Sequence, residues 1–149
     1  MRIAPLNLLL ADDDLDDCKF FQDALEELNI SAKLATVHDG VQLMQLLLKM
    51  EGALPDALYL DLNMPRKDGF DCLVEIKQNQ KLRHLPIIIV STSFNLEVVN
   101  LLHQNGANYY ICKPGEFLNI KKMILLSLSL IFEKGKKQPV LEEFVLTPI

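Results

Sequence analysis

The sequence is poor in the features that mark several common classes of protein. Its three cysteines, Cys18, Cys72 and Cys112, are odd in number and have neither paired nor CxxC spacing. That argues against a disulfide framework or a cysteine zinc site and leaves small thiols in a reducing compartment. Cys112 reads as a buried strand thiol. Positive charge is in deficit: 15 Lys and Arg stand against 20 Asp and Glu, for a formal net charge of −5. The basic face needed for non-specific nucleic-acid binding is therefore missing. His38, His84 and His103 are too widely spaced for a metal-ligand pattern. There is no basic-plus-apolar leader at the N-terminus. The longest apolar run, near Met123 to Phe132, is too short to span a bilayer and carries Ser127 and Ser129. Neither GxGxxG nor another phosphate-cradling glycine loop occurs. These absences predict a cytoplasmic protein that uses neither nucleic acid nor membrane as a partner.

What is present is apolar and regularly spaced. Half of the 149 residues are hydrophobic, enough for one core in one domain. Leu6 to Ala11 reads as a buried strand. From Asp14 to Leu28 the spacing turns helical, with Leu15, Phe20, Phe21, Leu25 and Leu28 near one face. Ala32 to Val37 is a second strand. Asp39 with Gln42 has the form of a capping box opening a helix to about Met50. "DALYLDL" gives a third strand, Phe70 to Gln80 a helix, and Pro86 opens the strand "PIIIVST". Asn95 caps a helix that stops at Gly106, "ANYYIC" is a fifth strand, and a last helix runs from about Gly115 to Phe132. Five successive β–α units predict an α/β fold with a five-stranded parallel sheet and helices on both faces. Residues 1–133 form that domain, and 134–149 are a C-terminal tail.

In such sheets ligands bind beyond the carboxyl ends of the strands. Those ends carry Asp12-Asp13, Asp61, Ser91-Thr92 and Lys113. Three carboxylates gathered there repel one another unless a cation sits among them. Hard oxygen ligands suit Mg²⁺, with Mn²⁺ as the alternative ion. Lys113 supplies a compact charge that pairs with Asp61, then with a phosphoryl oxygen, and Ser91 supplies a hydroxyl donor. In that arrangement a carboxylate is the nucleophile. Asp14, Asp16 and Asp17 read as a solvated acidic helix start, favoured by the helix dipole. Asp68-Gly69 reads as a turn with a positive-φ glycine.

With these residues the sequence resembles the receiver domains of two-component response regulators, from Leu6 to about Phe132. The resemblance rests on Asp12-Asp13, on "DLNMPRKDG" headed by Asp61, on Ser91 thirty positions later, on Lys113-Pro114, and on Tyr110 three residues before the lysine. Small stand-alone receivers look most similar, some of which pair with phytochrome-type kinases. The resemblance implies a doubly wound, flavodoxin-like sheet of order 2-1-3-4-5. It implies that Asp61 takes a phosphoryl group from a sensor histidine kinase or phosphotransfer protein. Asp13, Asp61 and the Asn63 carbonyl would contact Mg²⁺ directly, with Asp12 acting partly through water. Ser91 and Lys113 would bind the phosphoryl oxygens, and Lys113-Pro114 would be a cis peptide. Movement of Ser91 would let Tyr110 rotate inward. That would shift the face of the fourth helix, fifth strand and fifth helix, where a downstream protein partner would bind. Asn63 and Ser93 would tune hydrolysis of the acyl phosphate. Serine at position 91, where threonine is commoner, keeps the hydroxyl.

By this resemblance the chain is no enzyme beyond its own phosphorylation and dephosphorylation, and it has no room for an output domain. One rival is a receiver-like scaffold that binds partners independently of phosphorylation. Another is a small phosphatase or flavodoxin-like redox protein. Dehalogenase-type phosphatases want an aspartate two positions after the nucleophile, where Asn63 stands. The last helix is apolar almost all round, which predicts either a homodimer through it or docking of the tail segment "VLEEFVL" over it.

Overall fold

The computed structural model describes residues 5–135 and 137–147. Residues 1–4 of the expected domain and 136, 148 and 149 of the expected tail lie outside the described residues. The elements alternate as the apolar pattern predicts. They are β1 (Leu6–Ala11), α1 (Leu15–Glu27), β2 (Ala32–Val37), α2 (Gly40–Lys49), β3 (Ala57–Asp61), α3 (Gly69–Gln78), β4 (Ile87–Ser91), α4 (Leu96–Gln104), β5 (Tyr109–Cys112) and α5 (Phe117–Lys134). A 3₁₀ turn at Leu141–Glu143 and a short strand, β6 (Val145–Leu146), follow.

Every strand pair is parallel, in the order β2-β1-β3-β4-β5-β6. The expected doubly wound sheet is there, but among the described residues it has six strands where five were predicted. Without β6, β5 would end the sheet with a row of unpaired backbone groups. The tail supplies their partner. Tyr110 N–H donates to the Phe144 carbonyl at 3.0 Å, and Tyr110 and Ile111 register with Val145 and Leu146. A strand of two residues is too short to leave a period in the sequence.

Two apolar layers cover the sheet. Helices α2, α3 and α4 bring Leu43, Leu47, Leu73, Ile76 and Leu102 to one face. Helices α1 and α5 bring Phe21, Leu25, Ile124 and Leu128 to the other. Tyr59 of β3 enters the second layer with its ring 4.8 Å from Phe21 and its oxygen 2.6 Å from Ser127 Oγ. Ser127 gives its own proton to the Ile124 carbonyl, 3.0 Å away, so the Tyr59 O–H is the donor to Ser127. That pairing accounts for a buried serine within apolar α5.

The tail folds over the edge formed by α4 and β5. Phe144 is fully buried, with its ring 5.1 Å from His103 and 6.5 Å from Tyr110. His103 Nε2 donates to the Pro139 carbonyl at 2.8 Å, and the Gln138 amide donates to the Ala107 carbonyl at 2.8 Å. Lys134 pairs with Glu143 at 3.3 Å across the turn. Along α5, Leu125 and Phe132 stay exposed. Cys112 is exposed as well, contrary to the expectation of a buried thiol. It is the last residue of β5, where the chain leaves the covered part of the sheet. Among the described residues no helix is long and apolar enough to cross a membrane.

Candidate functional site

Parallel register gathers the candidate side chains at one edge. Ala11 pairs with Leu60, Asp61 with Val90 and Ser91 with Cys112, so the residues that end these strands leave the sheet together. One carboxylate oxygen each from Asp12, Asp13 and Asp61 lie within 4.8 Å of one another. Asp12 and Asp61 are buried and Asp13 is exposed. Backbone amides aim two of them. Asp14 N–H donates to Asp12 Oδ1 at 2.9 Å, and Asn63 N–H donates to Asp61 Oδ1 at 3.2 Å.

Lys113 reaches into this cluster from the end of β5. Its Nζ lies 2.8 Å from Asp17 Oδ2, 2.9 Å from Asp12 Oδ2 and 3.4 Å from Asp61 Oδ2. The expected pairing with Asp61 exists, and two further partners accompany it. Burial on its own would lower the pKa of the ammonium. The hydrogen bonds to Asp17 and Asp12 and the nearby Asp61 charge outweigh that and hold it above its ordinary value. Asp61 is pushed the other way from a typical ion-paired carboxylate. Burial, then the Asp12 charge, raise it from 3.8 to about 6, against the lowering by Lys113 and the Asn63 N–H. One ammonium therefore leaves an excess of negative charge, and the hard oxygen donors present match a divalent cation.

Asp17 is the site residue that sequence reasoning missed, having placed it on a solvated helix start. Asp14 caps α1, accepting from the N–H groups of Asp16 at 2.9 Å and Asp17 at 3.2 Å. The first turn of α1 then folds back beside the strand ends, and Asp17 meets a lysine 96 positions away in the chain. No local signal announces that meeting.

Ser91 is buried at the end of β4, and its Oγ accepts the Ser93 N–H at 3.4 Å. The Ser93 carbonyl accepts from the Tyr110 hydroxyl. Tyr110 already points inward here, its ring 6.1 Å from Phe94. Two expectations need correction. Lys113-Pro114 is not cis, since no peptide bond among the described residues is cis. The trans form of an X–Pro bond is favoured by about 0.5–1 kcal/mol, and from it the lysine already spans three carboxylates. Gly69 is not at positive φ. Its lack of a side chain answers to contact: a Cβ there would stand 2.2 Å from the Asp61 carbonyl oxygen. Gly69 N–H donates to the Leu62 carbonyl at 2.9 Å, and Asp68 caps α3 by accepting the Asp71 N–H at 2.9 Å. The Asp-Gly pair thus closes the Asp61 loop against α3.

Residues 8–125 match the response regulator receiver domain. The chain belongs to that family and is a receiver domain of two-component signalling, a signalling module and not a classical enzyme. More particularly, it is 32% identical over 124 residues to the response regulator Rcp1 of Synechocystis, covering 80% of this chain and 84% of that one. It is 27% identical over 129 residues to the chemotaxis protein CheY-3 of Vibrio cholerae, covering 87% and 93% of the two chains. The phosphorylated cyanobacterial phytochrome response regulator RcpA superposes with a TM-score of 0.77 at 28% identity, covering 91% of this chain and 99% of that one. The Mn²⁺-bound form of Rcp1 does so with a TM-score of 0.75 at 28% identity, covering 91% and 100%.

Proposed function

We propose that this receiver accepts a phosphoryl group on Asp61 from a phosphohistidine of a sensor kinase or phosphotransfer protein. The observation that carries the reading is the Lys113 ammonium 3.4 Å from a buried Asp61 that two further carboxylates surround. An Asp61 oxygen forms the new bond to phosphorus as the phosphorus–nitrogen bond breaks, and the imidazole keeps that electron pair. Asp12, Asp13, Asp61 and the Asn63 carbonyl would hold Mg²⁺, with Mn²⁺ able to replace it. When bound, the ion supplies charge neutralisation at the phosphoryl oxygens. Lys113 turns its N–H groups from Asp61 to a phosphoryl oxygen, and the Ser91 hydroxyl donates to another. Asn63 and Ser93, at the mouth of the site, set the approach of the hydrolytic water.

Ser91, Ser93 and Tyr110 are linked by hydrogen bonds, and Tyr110 touches Phe144 of the tail. A shift of the Ser91 hydroxyl therefore reaches the face of α4, β5 and α5 offered to a downstream protein, and with it the tail docked beside β5. Residues 1–133 are the receiver body and 134–149 an appendage to it. The exposed Leu125 and Phe132 of α5 are the surface through which a homodimer would form. The protein acts in the cytoplasm.

Phosphotransfer from a panel of radiolabelled sensor kinases tests the reading. Label is expected on the wild type from a cognate kinase and none on Asp61→Asn. A chain that binds its partner equally with and without beryllofluoride and accepts no label would instead be a scaffold.

A further inference from the structure

We infer that Asp17 is a positioning residue, the resting partner of the Lys113 ammonium when a divalent cation occupies the acid cluster. The inference rests on the proposed phosphoacceptor reading and goes beyond it, because Asp17 belongs to neither the metal donors nor the phosphoryl contacts.

Three carboxylates share one ammonium, and they are not equivalent. Asp12 and Asp61 belong to the cluster that would hold the ion, while Asp17 stands outside it on α1. The lysine is therefore both helper and competitor. Every hydrogen bond it gives to Asp12 or Asp61 is one that the cation must displace. Asp17, at 2.8 Å, already makes the shortest of the three contacts. It can keep the ammonium paired after the other two carboxylates turn to the ion, so Lys113 is neither stranded in a half-buried position nor expelled from reach of the phosphoryl group.

A largely apolar cavity of about 70 Å³ opens between α1 and α5 beside the lysine, lined by Phe20, Phe21, Tyr59 and Ile124 among others, and the charged groups in its lining are Asp12, Asp17 and Lys113, so on that side a carboxylate is what keeps the ammonium paired. Asp16, one residue away, is exposed and makes no ion pair with Lys113 among the described residues. It is therefore an internal control for loss of one negative charge on the same helical turn.

The test is a double-mutant cycle on Mn²⁺ affinity, measured by calorimetric titration, with phosphorylation by acetyl phosphate checked on the wild type. Asp17→Asn should raise the Mn²⁺ Kd roughly two- to fivefold beyond the effect of Asp16→Asn, the range set by a part-exposed ion pair. Lys113→Ala alone should tighten Mn²⁺. In the Lys113→Ala background, Asp17→Asn and Asp16→Asn should become indistinguishable. Equal effects of the two substitutions with Lys113 present would overturn the inference. So would an Asp17→Asn effect that persists undiminished without the lysine. A wild type that binds Mn²⁺ but takes no phosphoryl group defeats the functional reading while the cycle still decides whether Asp17 acts through Lys113.

Discussion

The Lys113 ammonium lies closer to Asp17, at 2.8 Å, than to Asp61, at 3.4 Å. The lysine of this receiver is thus shared between Asp61 and the first turn of α1. Asp61 is left under-compensated, and the strongest expectations about the metal-free protein come from that imbalance.

Asp61 is raised from 3.8 to about 6, first by burial and then by Asp12. The native state therefore holds a proton that the unfolded chain has already lost across that window. Without divalent ions, stability should fall as pH rises from about 4 to about 6, with the penalty fully present above it. Asp61→Asn should stabilise the metal-free protein at neutral pH by on the order of 2 kcal/mol, and should flatten the pH dependence in that window. Adding Mg²⁺ should stabilise the wild type and leave Asp61→Asn nearly unmoved. Urea unfolding with and without EDTA between pH 4 and pH 8 checks all three. A wild type more stable at neutral pH than Asp61→Asn, with EDTA present, would contradict the electrostatic account.

Gly69 packs against the backbone of Asp61 with no room for a methyl, since an added Cβ would lie 2.2 Å from the Asp61 carbonyl oxygen. Gly69→Ala should force the Asp61 loop off α3 and destabilise by about 1–3 kcal/mol, as overpacking does. The same change should slow phosphorylation by acetyl phosphate. Gly52→Ala is the contrast: Gly52 has nothing within 4 Å of the added methyl, but its φ of +81° makes the cost one of backbone strain, and the phosphorylation rate should hold.

Phe144 fills the space between His103 and Tyr110, and its carbonyl accepts the Tyr110 N–H. Truncation of a buried phenylalanine in a rigid core costs about 3–5 kcal/mol. Here β6 is a two-residue strand at the end of the sheet, so the expected response is release of the tail with β1–β5 still paired, which caps the loss at the docking free energy of the tail. Phe144→Ala should therefore shift the global unfolding midpoint less than a core truncation such as Leu73→Ala, while Tyr110 N–H loses its protection from hydrogen exchange. Undiminished protection at Tyr110 would show that β6 does not hold that edge.

Much of the fold was legible because the strands are apolar runs and two helices open on caps visible in the sequence, Asp39 and Asn95; the caps at Asp14 and Asp68 were read only as an acidic helix start and a turn. The acid cluster and Lys113 were legible for a topological reason. A parallel sheet sends all its carboxyl ends to one edge, so residues at strand ends become neighbours whatever separates them in sequence. Asp17 was illegible because it sits on a helix, where only the packing angle decides which strand end it faces. Gly69 was misread because a positive φ and a close backbone approach leave the same residue in the sequence. Strand β6 escaped notice because two residues carry no period, and the exposure of Cys112 depends on where the helical cover stops.

The most direct measurement is the intact mass of the protein after acetyl phosphate with Mg²⁺, repeated with EDTA and with Asp61→Asn. One phosphoryl group should add to the wild type with Mg²⁺, should be lost on treatment with hydroxylamine as an acyl phosphate is, and should be absent with EDTA and in the variant. An unmodified wild type, or the same added mass on Asp61→Asn, would contradict the assignment of Asp61 as the acceptor.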